Sequence, residues 1–448
     1  METINPATEE RIEIEETPIS QIPELVAKAK SAQIEWGQSS LEKRSQILNK
    51  LCLIFEAKKD LLAKTITEDM GKPIKRSYGE VEATIRMIKF YCEHASKWLA
   101  PESIGSNYVS FDPLGIVAVI SPWNYPLKVS MENICAALIT GNAVVYKPSE
   151  YALKTGQIII EMFKSLDDFP ENLLQIIIGA KDHGKTLVEQ DIQMVALVGS
   201  TAAGKNVMQS CSKDLKRVLL ELGGMDAAIV LKDADIEKTA QKIIERNTSN
   251  TGQVCCSIKR VYVEKEVYQS FVEEAVKASK TISFGNPYED VIMGPLVAKF
   301  QLEKIETIIE DARQKGATIH TGGTRENCKG YFYPSTVVTD LTADMKLMTE
   351  EAFGPILPIM PISSAEEGID KANNSKYGLT GSIWTKDIDK GKHLASMLKV
   401  GVAAINSHGR GTEDLPWGGA KESGIGRQSS KEGMRGFCNT KAVHVHKL

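Results

Sequence analysis

The chain of 448 residues predicts an α/β fold, on three observations. Short apolar runs alternate with helical segments, a second series of the same kind begins near Asp233, and the length exceeds what one simple core accommodates. Residues 20–100 read as helices: Leu41 to Leu62 places Ile47, Leu48, Leu51, Leu53 and Ile54 at helical spacing, and Glu80 to Trp98 continues the pattern. Gly115 to Ile120, bounded by Pro113 and Pro122, then reads as a buried strand. Ala143–Tyr146, Leu174–Ile178, Met194–Val198 and Ala227–Leu231 repeat that signal, with a helix over Leu153 to Phe169. Strand alternating with helix predicts a parallel sheet covered by helices. In the second series Asp235 opens a helix carrying Ile236, Ala240, Ile243 and Ile244. A later helix with Leu302, Ile305, Ile308, Ile309 and Ala312 ends at Gly316, read as a left-handed cap. Val261–Val263 and Tyr333–Val338 read as strands between them.

Composition narrows the function. Apolar content of 42% with 25% charged residues is that of a soluble globular protein. A net charge of −4 provides no nucleic-acid-binding surface, and no run approaches the roughly 20 apolar residues of a membrane span. The start, Met1-Glu2-Thr3-Ile4-Asn5-Pro6, lacks the basic and apolar regions of a signal peptide. Of the eight cysteines only Cys255 and Cys256 are neighbours, and no C-x-x-C pair or metal-ligand spacing occurs, so no metal is expected. His444-Val445-His446 reads as alternation in a strand. A reducing, cytoplasmic setting fits this cysteine usage.

Two segments carry chemistry. Cys255 stands in Thr251-Gly252-Gln253-Val254-Cys255-Cys256-Ser257, downstream of Glu221-Leu222-Gly223-Gly224. A thiol so placed can be presented to a ligand while a carboxylate elsewhere works on what it binds; the alternative is a small buried apolar residue. The second segment follows strand 194–198: Gly199-Ser200-Thr201-Ala202-Ala203-Gly204-Lys205-Asn206. Its G-x-x-x-x-G-K spacing suits a P-loop, but Asn206 replaces the Ser or Thr that holds Mg²⁺. A dinucleotide site also suits a small-residue turn before a helix, although G-x-G-x-x-G is missing. Taken alone, the loop is an anion site or a tight turn.

Taken together, the motifs resemble the aldehyde dehydrogenase superfamily. The resemblance runs from Asn5-Pro6-Ala7-Thr8-Glu9-Glu10 to Lys441-Ala442-Val443. Between these stand Pro122-Trp123-Asn124-Tyr125-Pro126, Lys147-Pro148-Ser149-Glu150, Gly199-Ser200-Thr201, Glu221-Leu222-Gly223-Gly224, Gly252-Gln253-Val254-Cys255 with Arg260, Glu351-Ala352-Phe353-Gly354-Pro355, Pro416-Trp417-Gly418-Gly419, and Ser423-Gly424-Ile425-Gly426-Arg427. The length is similar to that of short succinate-semialdehyde dehydrogenase-like members.

The resemblance implies an atypical Rossmann NAD-binding domain (1–105, 114–222 and a return at 416–437), an α/β catalytic domain (223–415), and a small oligomerisation element (106–113 and 438–448). It implies a homodimer or homotetramer that binds no nucleic acid or membrane and oxidises a small-molecule aldehyde. Cys255 is implied as nucleophile, Asn124 and the Cys255 backbone N–H as oxyanion donors, and Glu221 as the base that activates water. Lys147 and Glu150 are implied on the adenosine ribose and Gly199 and Ser200 on the pyrophosphate. Glu351 and Phe353 are implied at the nicotinamide end, with Trp123 and Leu222 also on the cofactor. A carboxylate at 150 favours NAD over NADP, with NADP also possible. Tyr125, Val129, Glu132, Arg410 and Trp417 are implied along the substrate tunnel. Glu132 would attract an ammonium aldehyde, as an amino- or betaine-aldehyde dehydrogenase requires. Arg410 would attract an anion such as succinate semialdehyde. Gln428 stands where many relatives carry Glu, which places more weight on Glu221. Cys256 is open to a redox role or to simple pocket lining.

Overall fold

A computed structural model describes residues 1–409 and 411–446. Its first sheet has the strand order Gly424–Ile425, Arg217–Glu221, Met194–Val198, Ile116–Ile120, Ala143–Lys147, Leu174–Ile176. The last five are mutually parallel. In chain order they run 5-4-1-2-3, the Rossmann order read from the opposite edge. Their runs of Val, Ile, Leu and Ala are continuous rather than alternating because both faces are covered by helices. The switch point lies between Ile116–Ile120 and Met194–Val198, where order reverses and a crevice opens at the carboxyl ends.

The second sheet has seven strands, ordered Thr318–Thr321, Thr336–Thr339, Ile356–Ile362, Arg260–Glu264, Ala227–Val230, Thr380–Trp384, Val402–Ile405. All pair in parallel except the first, which is antiparallel to its neighbour. Helices Ile236–Thr248 and Lys265–Lys280 cover one face, the former capped by the Asp235 carboxylate, which accepts from the Lys238 N–H. A third sheet pairs Cys438–Val443 with Asn107–Pro113 and also takes in Glu102–Ile104.

Several boundaries differ from the sequence reading. The run from Leu41 to Leu62 is two helices, Leu41–Ala57 and Lys59–Met70, separated where Lys58 leaves helical geometry. The strand expected from Tyr333 begins only at Thr336, because Pro334 has no N–H to give a ladder. The C-terminal strand ends at Val443, so His444-Val445-His446 is not strand; there the Val445 N–H donates to the Asn107 side chain instead.

One buried ion pair fixes the approach to the crevice. Lys72 and Glu80 are each 1% exposed and bonded to one another. The Lys72 ammonium also donates to the Asn124 carbonyl at 3.0 Å and lies 3.9 Å from the centre of the Tyr125 ring. The second Glu80 oxygen accepts from the backbone N–H groups of Leu127 and Lys128, at 3.0 and 3.1 Å. Those groups open helix Lys128–Ile139, which has no side-chain cap of its own. Removing one member of a fully buried pair leaves the other charge uncompensated. Lys72→Met is therefore predicted to destabilise the fold by about 3–5 kcal/mol. The double variant Lys72→Met/Glu80→Gln, which keeps an acceptor for the helix start, should recover at least half of that loss in urea unfolding.

Candidate active site

The carboxyl ends of four parallel strands gather at the crevice, and three of them contribute residues to its lining. Ile116–Ile120 leads into Trp123 and Asn124, Ala143–Lys147 into Glu150, and Met194–Val198 into Gly199 and Ser200; Arg217–Glu221 ends on Glu221 itself. The second sheet faces it with the segment that precedes Arg260–Glu264, which contains Cys255. Two cavities of about 240 Å³ each meet here, and both are lined by Tyr125, Val129, Val198, Glu221, Leu222 and Cys255.

Left-handed backbone presents the cysteine. Asn250, Thr251 and Gly252 have φ of 51°, 58° and 71° in succession. A β-branched residue in this region is costly, about 1–3 kcal/mol. Gly252 is required for space as well: a Cβ there would lie 2.1 Å from the Gly354 carbonyl carbon. Side chains hold the turn. The Asn250 amide donates to the Asn124 and Gln253 carbonyls at 3.0 and 3.3 Å, and the Thr251 hydroxyl donates to the Gly294 carbonyl at 3.0 Å. Gln253, fully buried, donates to the Asn250 carbonyl at 3.2 Å and accepts from the Val297 N–H at 2.8 Å. Gln253 is thus a framework residue, and Cys255, half-buried, is left lining both cavities.

Asn124 is buried and its amide donates to the Gln253 carbonyl at 3.0 Å. An amide carries two N–H donors, so one hydrogen remains for an oxyanion beside Cys255. The Glu221 carboxylate is buried and lines both cavities. The Cys255 thiol is held well above the usual thiol range, first by its hydrogen bond with Cys256, then by burial and by the Cys256 charge; Lys259 pulls the other way and Glu221 adds to the rise. This environment favours the protonated thiol, and a base or a bound ligand would be needed to favour the thiolate.

One cavity suits a dinucleotide. Trp123, Gly199, Ser200, Leu222, Glu351 and Phe353 line it. Ser200 caps helix Thr201–Cys211, accepting from the Ala203 N–H at 3.2 Å, and that helix start offers N–H groups to a pyrophosphate. Trp123 and Phe353 meet edge to face at 5.4 Å and form an aromatic wall. The Glu351 carboxylate accepts from Lys259 at 3.1 Å and from the Gly224 N–H at 3.2 Å. Gly223 makes room for it, since a Cβ there would lie 2.4 Å from Glu351 Oε2. Lys147 and Glu150 lie outside both cavities, at the carboxyl end of their strand, with Lys147 Nζ on the Pro148 carbonyl at 3.1 Å. These residues fit NAD(P): N–H donors for an anion, a carboxylate and flat walls for a ring.

The other cavity shares Cys255 with the first. Tyr125, Val129 and Trp417 line it, with Cys256, Val254, Lys128, Arg246, Ser249 and Gln428. Glu132 does not. It is 1% exposed and accepts from the Ser429 hydroxyl at 2.8 Å and the Tyr91 hydroxyl at 3.2 Å, behind the wall that Gln428 forms. The expected tunnel position is not met because the Glu132 carboxylate is taken up by hydroxyls of helix Ile74–Trp98, through Tyr91, and of Ser429. Arg410 lies outside the described residues. Gln428 donates to Asn133 Oδ1 at 2.8 Å, a neutral buried pair.

Sequence reading missed two residues. Lys259 is buried, donates to the Cys255 carbonyl and pairs with Glu351; its only sequence signal is a charge between Ile258 and Arg260, four positions past Cys255. His408 is buried and bonded through Nδ1 to the Ser382 hydroxyl at 2.7 Å and through Nε2 to the Thr380 hydroxyl at 3.1 Å.

Comparison with known proteins agrees with this geometry. The sequence model described as "Aldehyde dehydrogenase family" matches residues 1–443. An aldehyde dehydrogenase of Paenarthrobacter nicotinovorans is 33% identical, over 94% of each chain. A succinate-semialdehyde dehydrogenase [NADP(+)] of Deinococcus radiodurans is 33% identical, over 99% of this chain and 94% of its own. The crystal structure of betaine aldehyde dehydrogenase from Staphylococcus aureus in complex with NAD+ superposes with a TM-score of 0.95 at 30% identity, covering 99% of this chain and 91% of that one.

The His408 environment has a measurable consequence. Burial, then the charges of Lys259 and Arg246, push its pKa down from 6.5 to about 3. The folded chain thus binds fewer protons than the unfolded one between those values, and this contribution to stability is present above pH 6.5 and lost as pH falls toward 3. Urea midpoints of wild type should therefore fall on acidification below that point. His408→Gln should remove up to about 1.4 kcal/mol of that loss per pH unit.

Proposed function

The chain belongs to the aldehyde dehydrogenase family, and on that premise we propose that Cys255 attacks an aldehyde carbonyl and carries the acyl group until Glu221 directs water to release it. The observation that supports this most strongly is the meeting of both cavities on Cys255 and Glu221, with a free Asn124 N–H beside them.

The order of events follows from the groups present. The thiol sulfur bonds to the carbonyl carbon as its proton leaves to a base, and the carbonyl oxygen becomes an oxyanion. Asn124 and the Cys255 N–H stabilise that charge with donors already fixed by the Gln253 framework. Trp123, Gly199, Ser200, Glu351 and Phe353 would hold NAD(P), which would supply the hydride acceptor that oxidation of the adduct to a thioester requires. Glu221 then takes a proton from water, whose oxygen attacks the thioester carbon, and the thiolate leaves as the carboxylic acid is released. Aldehyde dehydrogenases use NAD or NADP. For this chain Glu150 supports NAD, since its carboxylate suits ribose hydroxyls and repels a 2′-phosphate. The Deinococcus relative carries NADP(+) in its name, so the charge at 150 is the group to test.

The substrate end also has a direction. Glu132 lies behind the wall, which removes the acid that favoured an ammonium aldehyde. Lys128 and Arg246 line the aldehyde cavity; Lys128 lies 3.8 Å from Glu413, and the acid among the described lining residues is Glu221, beside the nucleophile. That field supports a semialdehyde with an acidic far end over one with a cationic end. The assembly proposed is a homodimer or homotetramer through the sheet of Asn107–Pro113 and Cys438–Val443.

NADH formation tests the reading. Cys255→Ala should abolish turnover, and Asn124→Ala should lower kcat by roughly 10²–10³. Glu221→Gln should release about one NADH per site and then stall, because the thioester forms but is not hydrolysed. Turnover persisting in Cys255→Ala sinks the mechanism. Separately, Glu150→Gln should raise kcat/KM for NADP while lowering it for NAD. Wild type should prefer succinate semialdehyde to aminoaldehydes by at least about tenfold, and the reverse order would refute the substrate reading.

A further inference from the structure

We propose that Lys259 is a positioning residue that sets the ionisation of Cys255 and couples it to the cofactor-side carboxylate Glu351. This rests on the cysteine mechanism proposed above.

The geometry carries the inference. Lys259 leaves the chain four residues after Cys255, and its ammonium folds back to donate to the Cys255 carbonyl. The same ammonium pairs with Glu351 Oε1 at 3.1 Å. Its side chain is 7% exposed, so both contacts are made out of water. Glu351 in turn accepts from the Gly224 N–H at 3.2 Å and lines the dinucleotide cavity. One cation thus joins the nucleophile's own peptide to the group expected on the nicotinamide ribose. A hydrogen bond to the Cys255 carbonyl also polarises the peptide that carries the thiol.

The charges around this cation determine the sign of its effect. Glu351 and Asp226 face Lys259 as anions, and Asp226 is itself tied to Thr380 by two bonds of 2.5 and 3.1 Å. Burial pushes the Asp226 carboxyl up to about 6, against the pull of Lys259 and Thr380. Lys304 stands near Glu351 and Lys259 as a second cation, and His408 is neutral at physiological pH. At the thiol itself Cys256, Glu221 and burial oppose ionisation. Lys259 is the cation acting for it. The carboxylate of Glu351 partly neutralises Lys259, so a change at Glu351 is transmitted to Cys255 through this one ammonium. No proton or electron need move along the link; the coupling is electrostatic.

The alternative is that Lys259 merely neutralises Glu351 and Asp226 within a buried cluster. The two roles separate in the pH dependence of Cys255 alkylation, which requires neither substrate nor cofactor. In a Cys256→Ser background, iodoacetamide labelling of the Cys255 peptide would be followed by mass across pH. Lys259→Met should move the midpoint up by about one pH unit or more, and Lys259→Arg should restore it. Glu351→Gln should move it down, because the cation is then less neutralised. Lys259→Met should also raise KM for NAD. A Lys259→Met midpoint at or below that of the parent, in protein that melts cooperatively, overturns the proposal. If Lys259→Met does not fold, Glu351→Gln decides: a midpoint that stays or rises overturns it. Failure of the cysteine mechanism is read separately, as NADH formation by Cys255→Ala, and does not depend on the labelling profile.

Discussion

The site depends on one constraint: a stretch of left-handed backbone whose polar groups are satisfied by side-chain amides rather than by a helix or a sheet. Asn250, Thr251 and Gly252 turn the chain so that neither lobe can supply ladder partners at this point. Asn124, Asn250 and Gln253 fill that need, and the two bonds that involve Asn124 also tie lobe to lobe, because Asn124 belongs to the first sheet's loop and Asn250 and Gln253 to the second's. Unsatisfied buried peptide groups would cost more than the strain itself. The network that makes the turn tolerable therefore also fixes the distance between Asn124 and Cys255. Positioning of the Asn124 amide and support of the backbone are one set of bonds.

Around this turn the protein buries charge, and each charge is placed to hold a backbone segment. Lys72 reaches the Asn124 carbonyl, Glu80 the start of helix Lys128–Ile139, Lys259 the Cys255 carbonyl, and Arg260 the Met225 carbonyl at 2.6 and 2.9 Å. A buried pair gives little net stability against an apolar replacement, because desolvation offsets attraction. Its value here is direction: an ammonium or guanidinium aims several donors at loop carbonyls that no regular element satisfies.

Much of the fold was legible because burial on both faces leaves a plain sequence record. Continuous apolar runs such as Ile116–Ile120 and Met194–Val198 have one structural solution beside helical neighbours, and their strand bounds were recovered closely. The Cys255, Asn124 and Glu221 set became visible through motif resemblance, and the structure brings the three together. Two kinds of feature escaped. Helix rotation decides whether Glu132 or its neighbours face the cavity, and a polar residue on a helix buried nearly all round gives periodicity no contrast to read. Contacts between distant segments escaped too: Lys259 with Glu351, or Lys72 with Asn124, leave no local pattern.

The pair Gln428–Asn133 sharpens the role of Glu221. Gln428 lines the cavity that holds Tyr125 and Trp417 and is bonded to Asn133, and neither amide exchanges a proton near neutrality. Glu351 lines the cofactor side but is engaged by Lys259 and the Gly224 N–H. Among the described residues, Glu221 is the carboxylate that lines both cavities, on a strand end held by the antiparallel partner Gly424. In the proposed mechanism this leaves Glu221 as the carboxylate at the junction that takes the proton from water once the thioester has formed.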